Sequence, residues 1–156
     1  VAAADSVADA VRAGCREWAT SVHIIEGDAA RYDAMKAATV ALACSGTVST
    51  ELAMAGVPMV IAYRMAGLTF AIVKRLVRTR WVTLVNIAAG EAIVPEFIQD
   101  DCTGPQLAAA VAIRLDSEEA RRGQVARQDE ALVRMGRGQG DPFDKAADVI
   151  LGLLAP

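Results

Sequence analysis

Two short runs of almost uninterrupted apolar residues, 40–44 and 59–63, each follow a segment of helical periodicity, and a further run, 81–85, follows another. Strands that are apolar at every position, rather than at alternate ones, belong to a sheet buried on both faces, and in practice that is a parallel sheet with helical crossovers. The spacing of Val7, Val11, Cys15 and Trp18 predicts an amphipathic helix over 5–18. A β-rich run at 22–25 closes at Glu26-Gly27-Asp28, and Asp28 is suited to cap a helix over 29–38. Strand 40–44 gives way at Ser45-Gly46-Thr47 to a helix ending near Ala55, stopped by Gly56 and Pro58. Strand 59–63, a helix over 68–78 and a fourth strand over 81–85 complete the pattern. The fold class expected is therefore α/β, a Rossmann-like parallel sheet with helices on both faces, its first strand lying upstream of Val1.

Beyond Asn86 the strand signal stops: a loop over 87–95 and a short helical turn lead to Thr103-Gly104-Pro105, which opens a helix to about Leu115. Asp116 and Glu119 have capping-box spacing and start a helix to about Met135. The expected organisation is a Rossmann-like unit over 1–135, a glycine-rich hinge over 136–141 and a C-terminal helix over 142–156. The hinge is no phosphate loop, because no strand feeds it. Phe143, Ala147, Ile150, Leu151 and Leu154 make an apolar stripe on the last helix that needs a surface to cover it.

At 156 residues, 54% of them hydrophobic, 22% charged and 4% aromatic, the chain has core enough to fold without disulfides or structural metals. A net charge of −3 disfavours nucleic acid as a partner. Three cysteines, Cys15, Cys44 and Cys102, without ligand spacing read as buried reduced thiols of a cytosolic protein. The single histidine, His23, leaves histidine-based metal sites and Ser/His triads poorly supplied, and no signal peptide is expected. A chain opening on Val1 is expected to begin inside a longer protein.

Ligands of open parallel sheets bind beyond the carboxyl ends of the strands. The residues expected there are Gly27 and Asp28, Ser45-Gly46-Thr47, Arg64 and Asn86. Small residues at 45–47 admit a ligand to the backbone, and the following helix directs unpaired amides at it, an arrangement suited to a diphosphate. Glu51 lies one turn along the same face, where its carboxylate suits two vicinal hydroxyls. Taken alone, Ser-Gly-Thr is equally an N-cap, Glu51 a surface residue and Asn86 a turn residue. Residues 64–81 carry Arg64, Lys74, Arg75, Arg78 and Arg80 with no acidic residue, interleaved with Phe70, Ile72, Val73, Leu76, Val77 and Trp81. That pattern fits either a helix whose basic side chains cover its rim or a surface for anionic lipid headgroups.

The run Cys44-Ser45-Gly46-Thr47-Val48-Ser49-Thr50-Glu51, followed by Gly56-Val57-Pro58-Met59-Val60-Ile61-Ala62-Tyr63-Arg64, resembles the SGTxxxE…PMVVxYR/K signature of lipid-A-disaccharide synthases. The resemblance continues through Val82-Thr83-Leu84-Val85-Asn86, Ala89-Gly90 and Val94-Pro95-Glu96-Phe97-Ile98-Gln99, and departs from the family pattern at Thr39, Val85 and Glu91. It implies the C-terminal half of a GT-B glycosyltransferase, acting without metal or other cofactor. The implied reaction joins UDP-2,3-diacylglucosamine to 2,3-diacylglucosamine 1-phosphate with inversion, giving the lipid A disaccharide precursor and UDP. It also implies that Ser45, Gly46, Thr47, Glu51, Arg64, Asn86 and Gln99 contact the UDP-sugar, and that Lys74, Arg75, Arg78 and Arg80 face the membrane. No catalytic base is assignable in this chain. The implied partners are the lipid donor and acceptor, the anionic cytoplasmic face of a bacterial inner membrane, the N-terminal domain of the same polypeptide and a second copy. A UDP-sugar 2-epimerase and a non-catalytic membrane-docking α/β module are the alternatives.

Overall fold

The computed structural model describes residues 7–44, 46–67, 69–70, 75 and 79–154. Along these residues the elements are α1 (Ala8–Cys15), α2 (Asp28–Ala37), β1 (Ala41–Ala43), α3 (Thr47–Met54), β2 (Met59–Tyr63), α4 (Leu84–Ala89), β3 (Glu96–Ile98), a 3-10 turn (Gln99–Asp101), α5 (Gly104–Asp116), α6 (Glu118–Arg134) and α7 (Pro142–Leu154). The sheet has the order β1-β2-β3 and is parallel throughout, with Ala41 opposite Met59 and Ile61 opposite Glu96. Helices flank it, and the fold is α/β and Rossmann-like.

β2 is the centre of the core. Met59, Val60 and Ile61 are all fully buried, and since successive side chains of a strand point to opposite faces, the sheet is covered on both sides here. Leu52 and Ala53 of α3, Val85 of α4, Ile93 and Val94, and Ala131 and Leu132 of α6 close around it. The β2–β3 ladder is short, and this leaves backbone acceptors that must be satisfied another way. The Ile61 N–H donates to Pro95 O, so the odd-numbered backbone groups of β2 face β3. Because β3 pairs only from Ile61 onward, the carbonyls of Val57 and Met59 have no strand opposite them. Gln128 and Gln124, one turn apart on α6, donate their Nε2 groups to these two carbonyls at 3.1 and 2.9 Å.

Several expected elements differ. The run 22–25 contains only an isolated bridge at Ile25, since an apolar run becomes a strand only where a neighbouring backbone supplies a ladder. The expected fourth strand at 81–85 is a corner followed by α4, because Thr83 caps the helix through its side chain (Asn86 N to Thr83 Oγ1, 3.4 Å). The sheet position beside β2 goes instead to β3, at the end of the stretch expected to be loop and turn. α6 starts after Ser117, whose hydroxyl accepts from the Ala120 N–H at 3.1 Å, and not from an Asp116 cap. Of the helix expected over 68–78, residues 69, 70 and 75 are helical, and the remainder lies outside the described residues.

Gly136, Gly138 and Gly140 have φ of 104, 78 and 98°, a left-handed region open to glycine at little cost, and so the chain turns sharply before α7. Of the stripe expected on this helix, Phe143, Ile150 and Leu151 are 83, 58 and 63% exposed, so these three are left largely uncovered by the described residues. The cysteines are not buried as expected: Cys44 is exposed and Cys15 and Cys102 are half-buried.

Candidate functional site

β1 and β2 deliver their carboxyl ends to residues 44–47 and 64–66, and β3 delivers its own to Gln99. A cleft of about 430 Å³ opens beside the first of these ends, lined by Gly46, Thr47, Thr50, Glu51 and Met54 on one side and Val82 and Leu84 on the other. Gly46 has φ 134° and ψ −158°, a conformation that L side chains rarely adopt, and it leaves the first turn of α3 without a side-chain cap. Ser49, fully buried, ties this turn from within: its N–H and Oγ both donate to Gly46 O, at 3.2 and 2.7 Å. The amide end of α3 therefore lies at the cleft with no side-chain cap from the described residues, and the helix dipole makes this the electropositive end.

Glu51 lies half-buried at the same cleft, one turn along. Its carboxylate is positioned by α2: Arg31 stands 3.6 Å from Oε1, and the Tyr32 hydroxyl donates to it at 3.4 Å. Arg31 also reaches Asp28 at 3.3 Å and lies over the Tyr32 ring, so α2 braces Glu51 through a cluster and not through one contact. Gly46, Thr47 and Glu51 are thus brought together as expected. Ser45, Lys74 and Arg78 lie outside the described residues.

The other expected contacts are placed elsewhere. Arg64 is exposed beyond the end of β2, and Arg75 and Arg80 are exposed as well; none of the three lines the cleft. Gln99 holds the loop after β2, its Oε1 accepting from the Met65 N–H at 2.7 Å and its Nε2 donating to Met65 O at 3.1 Å. Asn86 does not stand at a strand end facing a ligand edge: it is fully buried within α4. Its Oδ1 accepts from the Ile93 and Val94 N–H groups (2.9 and 2.8 Å), and its Nδ2 donates to Val94 O (2.8 Å) and to Glu96 (2.9 Å). An asparagine amide has two donors and two lone pairs, and all four are used inside the protein.

Glu96, which nothing in the sequence singles out as a site residue, is the acceptor on which the far wall of the cleft converges. Its carboxylate accepts from Val82 N (2.9 Å), Thr83 N (2.9 Å), Thr83 Oγ1 (2.6 Å) and Asn86 Nδ2 (2.9 Å). Thr50 is also absent from the expected set, yet it lines the cleft with a buried Oγ1 that has no hydrogen-bond partner among the described residues. Glu91, where the chain departs from the family pattern, pairs with Arg127 on α6 at 2.6 Å, away from the cleft. The hydrogen bond and charge of Arg127, with Arg134 adding to the field, hold the Glu91 carboxyl below its ordinary value. Val85, another departure, is a core residue. Among the described residues there is no group of three or more His, Cys, Asp or Glu side chains placed to hold a metal ion, and no helix is long and apolar enough to cross a membrane.

Comparison with known proteins places this architecture. The family model described as lipid-A-disaccharide synthetase matches residues 7–141. The lipid-A-disaccharide synthase of Rhodospirillum centenum is 41% identical over 148 residues, which is 95% of this chain and 37% of the relative. That of Paramagnetospirillum magneticum is 41% identical over 152 residues, covering 96% of this chain and 39% of the relative. That of Bradyrhizobium diazoefficiens is 40% identical over 148 residues, 92% of this chain and 37% of the relative. The chain spans somewhat more than a third of the length of these curated relatives. With the family model running from α1 through the glycine-rich turn, the chain belongs to the lipid-A-disaccharide synthetase family.

Proposed function

We propose that this chain is the donor-nucleotide-binding part of an inverting glycosyltransferase that joins UDP-2,3-diacylglucosamine to 2,3-diacylglucosamine 1-phosphate. The observation that carries the reading is the convergence of Gly46, Thr47 and Glu51 on one cleft at the uncapped amide end of α3. In this reading Ser45, Gly46 and Thr47 surround the diphosphate, Glu51 accepts from the ribose hydroxyls, and Arg64 meets the phosphates or the sugar from the end of β2. Asn86 and Gln99 act through the main chain they hold and do not contact the nucleotide.

The chemistry then falls to electrostatics. The acceptor hydroxyl oxygen bonds to the anomeric carbon, the bond from that carbon to the diphosphate oxygen breaks, and UDP leaves with the electron pair. The negative charge that grows on the leaving phosphate meets the amides and dipole of α3, which are fixed before the reaction and need no reorganisation. The proton released by the acceptor goes to a base outside this chain, in the remainder of the longer polypeptide. The C-terminal helix, beyond a hinge at 136–141, packs its exposed stripe on that remainder.

Replacing Glu51 with alanine in the complete protein is expected to weaken UDP binding by about 1–3 kcal/mol, the loss of a charged acceptor of two hydroxyl hydrogen bonds. Isothermal calorimetry with UDP checks this, and an unchanged affinity removes Glu51 from the donor site.

A donor and an acceptor that carry acyl chains must be drawn from a lipid surface, and the exposed Arg75 and Arg80 fit peripheral attachment to an anionic one. Each basic residue near such a surface contributes about 1 kcal/mol, screened over a Debye length. The complete protein is accordingly expected to sediment with anionic vesicles at low salt and to be released at high salt; retention at high salt, or equal binding to neutral vesicles, contradicts electrostatic attachment.

A further inference from the structure

We propose that Glu96 is a positioning residue for the donor site: its carboxylate holds the corner at residues 82–84 in place, and that corner is the apolar wall against which the nucleotide-sugar lies. The inference rests on the reading of the cleft as the donor site and adds to it the wall opposite α3 and the group that sets its distance. Val82 and Leu84 line the cleft across from Gly46, Thr47 and Glu51, and they are 37% and 54% exposed. The chain at this point bends without a ladder to define its path, since the expected strand is absent and α4 begins only at Leu84. What defines the path is Glu96. Both of its oxygens are engaged, Oε2 by the Val82 N–H and Oε1 by the Thr83 N–H, the Thr83 hydroxyl and Asn86 Nδ2, and Glu96 itself is anchored in β3 opposite Ile61. Only an ionised carboxylate accepts from every direction without presenting a donor, so this junction of four donors is matched to a glutamate. Glu96 does not line the cleft and therefore acts on a ligand through Val82 and Leu84.

The test uses the complete protein, with steady-state transfer measured against donor concentration and thermal unfolding followed in parallel. Glu96→Gln keeps length and volume but turns one acceptor into an NH2 that faces a backbone N–H, whichever way the amide is flipped. It is expected to raise KM for the UDP-sugar about tenfold with kcat within about threefold, the signature of lost binding common to ground and transition states. Glu96→Asp, which keeps the charge but retracts it by one carbon, is expected to fall between the two. Leu84→Ala, at an exposed position, is expected to raise the same KM without lowering Tm. A Glu96→Gln protein that melts early but keeps its KM overturns the proposal in favour of a purely structural Glu96, and so does a Leu84→Ala protein with unchanged KM. A parallel Glu51→Ala arm separates the two levels: if it raises KM and the other variants do not, only the positioning role falls; if none of them changes KM, the cleft is not the donor site and both readings fall.

Discussion

Asn86→Ala is expected to destabilise this domain by about 3–5 kcal/mol, among the larger losses a single substitution produces, because it strands several buried polar groups at once. The side chain is fully buried, and its amide binds the turn at Ile93 and Val94 back onto α4. Removing it takes the side-chain partner from the Val94 N–H and Val94 O and leaves the Ile93 N–H with Glu91 O alone, at 3.1 Å. It also takes one of four donors from Glu96. Asn86→Asp, nearly isosteric, is no milder: it replaces both donors with acceptors and sets a second carboxylate beside Glu96. At about 2–4 °C per kcal/mol for a domain of this size, the alanine variant is expected to melt roughly 6–20 °C lower. Denaturation followed by circular dichroism measures it, and a melting temperature within a degree or two of the parent shows that the amide is not the structural tie described here. Lost transfer activity in such a variant then follows from a displaced cleft wall, without any contact between Asn86 and the nucleotide.

The paired variant Gln124→Leu with Gln128→Leu is expected to cost about 3–5 kcal/mol, at about 1–3 kcal/mol for each buried carbonyl left unpaired. Gln124 Oε1 also accepts from Arg114 Nε at 2.5 Å, so its loss strips an acceptor from a guanidinium whose pKa burial has already lowered. The two single variants are not expected to be equal. Gln128 carries a buried Oε1 with no partner among the described residues, so Gln128→Leu removes one unsatisfied atom while creating another at Val57 O, and the net loss is the smaller. Gln124→Leu has no such offset. Urea unfolding of the two single variants and the pair checks the order, and equal losses in the singles contradict the assignment of the orphaned oxygen.

The parts of the fold that could be read from the sequence are those whose causes are local. β2 carries its apolar residues without interruption and ends at a glycine and a proline on its near side; the start of α3 is marked by Gly46, whose backbone conformation suits no other residue; Pro105 opens α5. The errors fall where a distant group decides. Residues 81–85 have the composition of a strand, and the carboxylate of Glu96, thirteen residues beyond Thr83, together with the Thr83 cap holds them as a corner and a helix start. β3 is three residues long, too short for periodicity to show, and it exists because β2 offers it an edge. The same division runs through the candidate site. Gly46, Thr47 and Glu51 lie within about a turn and a half of one another and can be found by spacing. Glu96, Asn86 and Gln99 act through bonds to main-chain groups far along the chain, and a residue of that kind leaves no local mark of what it holds.

The most direct test of the account is a crystal structure of the complete protein with UDP. The account predicts diphosphate oxygens within hydrogen-bond distance of the first N–H groups of α3, about 2.7–3.2 Å, ribose hydroxyls on the Glu51 carboxylate, and the nucleotide against Val82 and Leu84. UDP bound elsewhere, for example in the cavity between α3 and the glycine-rich turn lined by Thr50, Met54, Arg134 and Lys145, with the cleft at Gly46 empty, would contradict it.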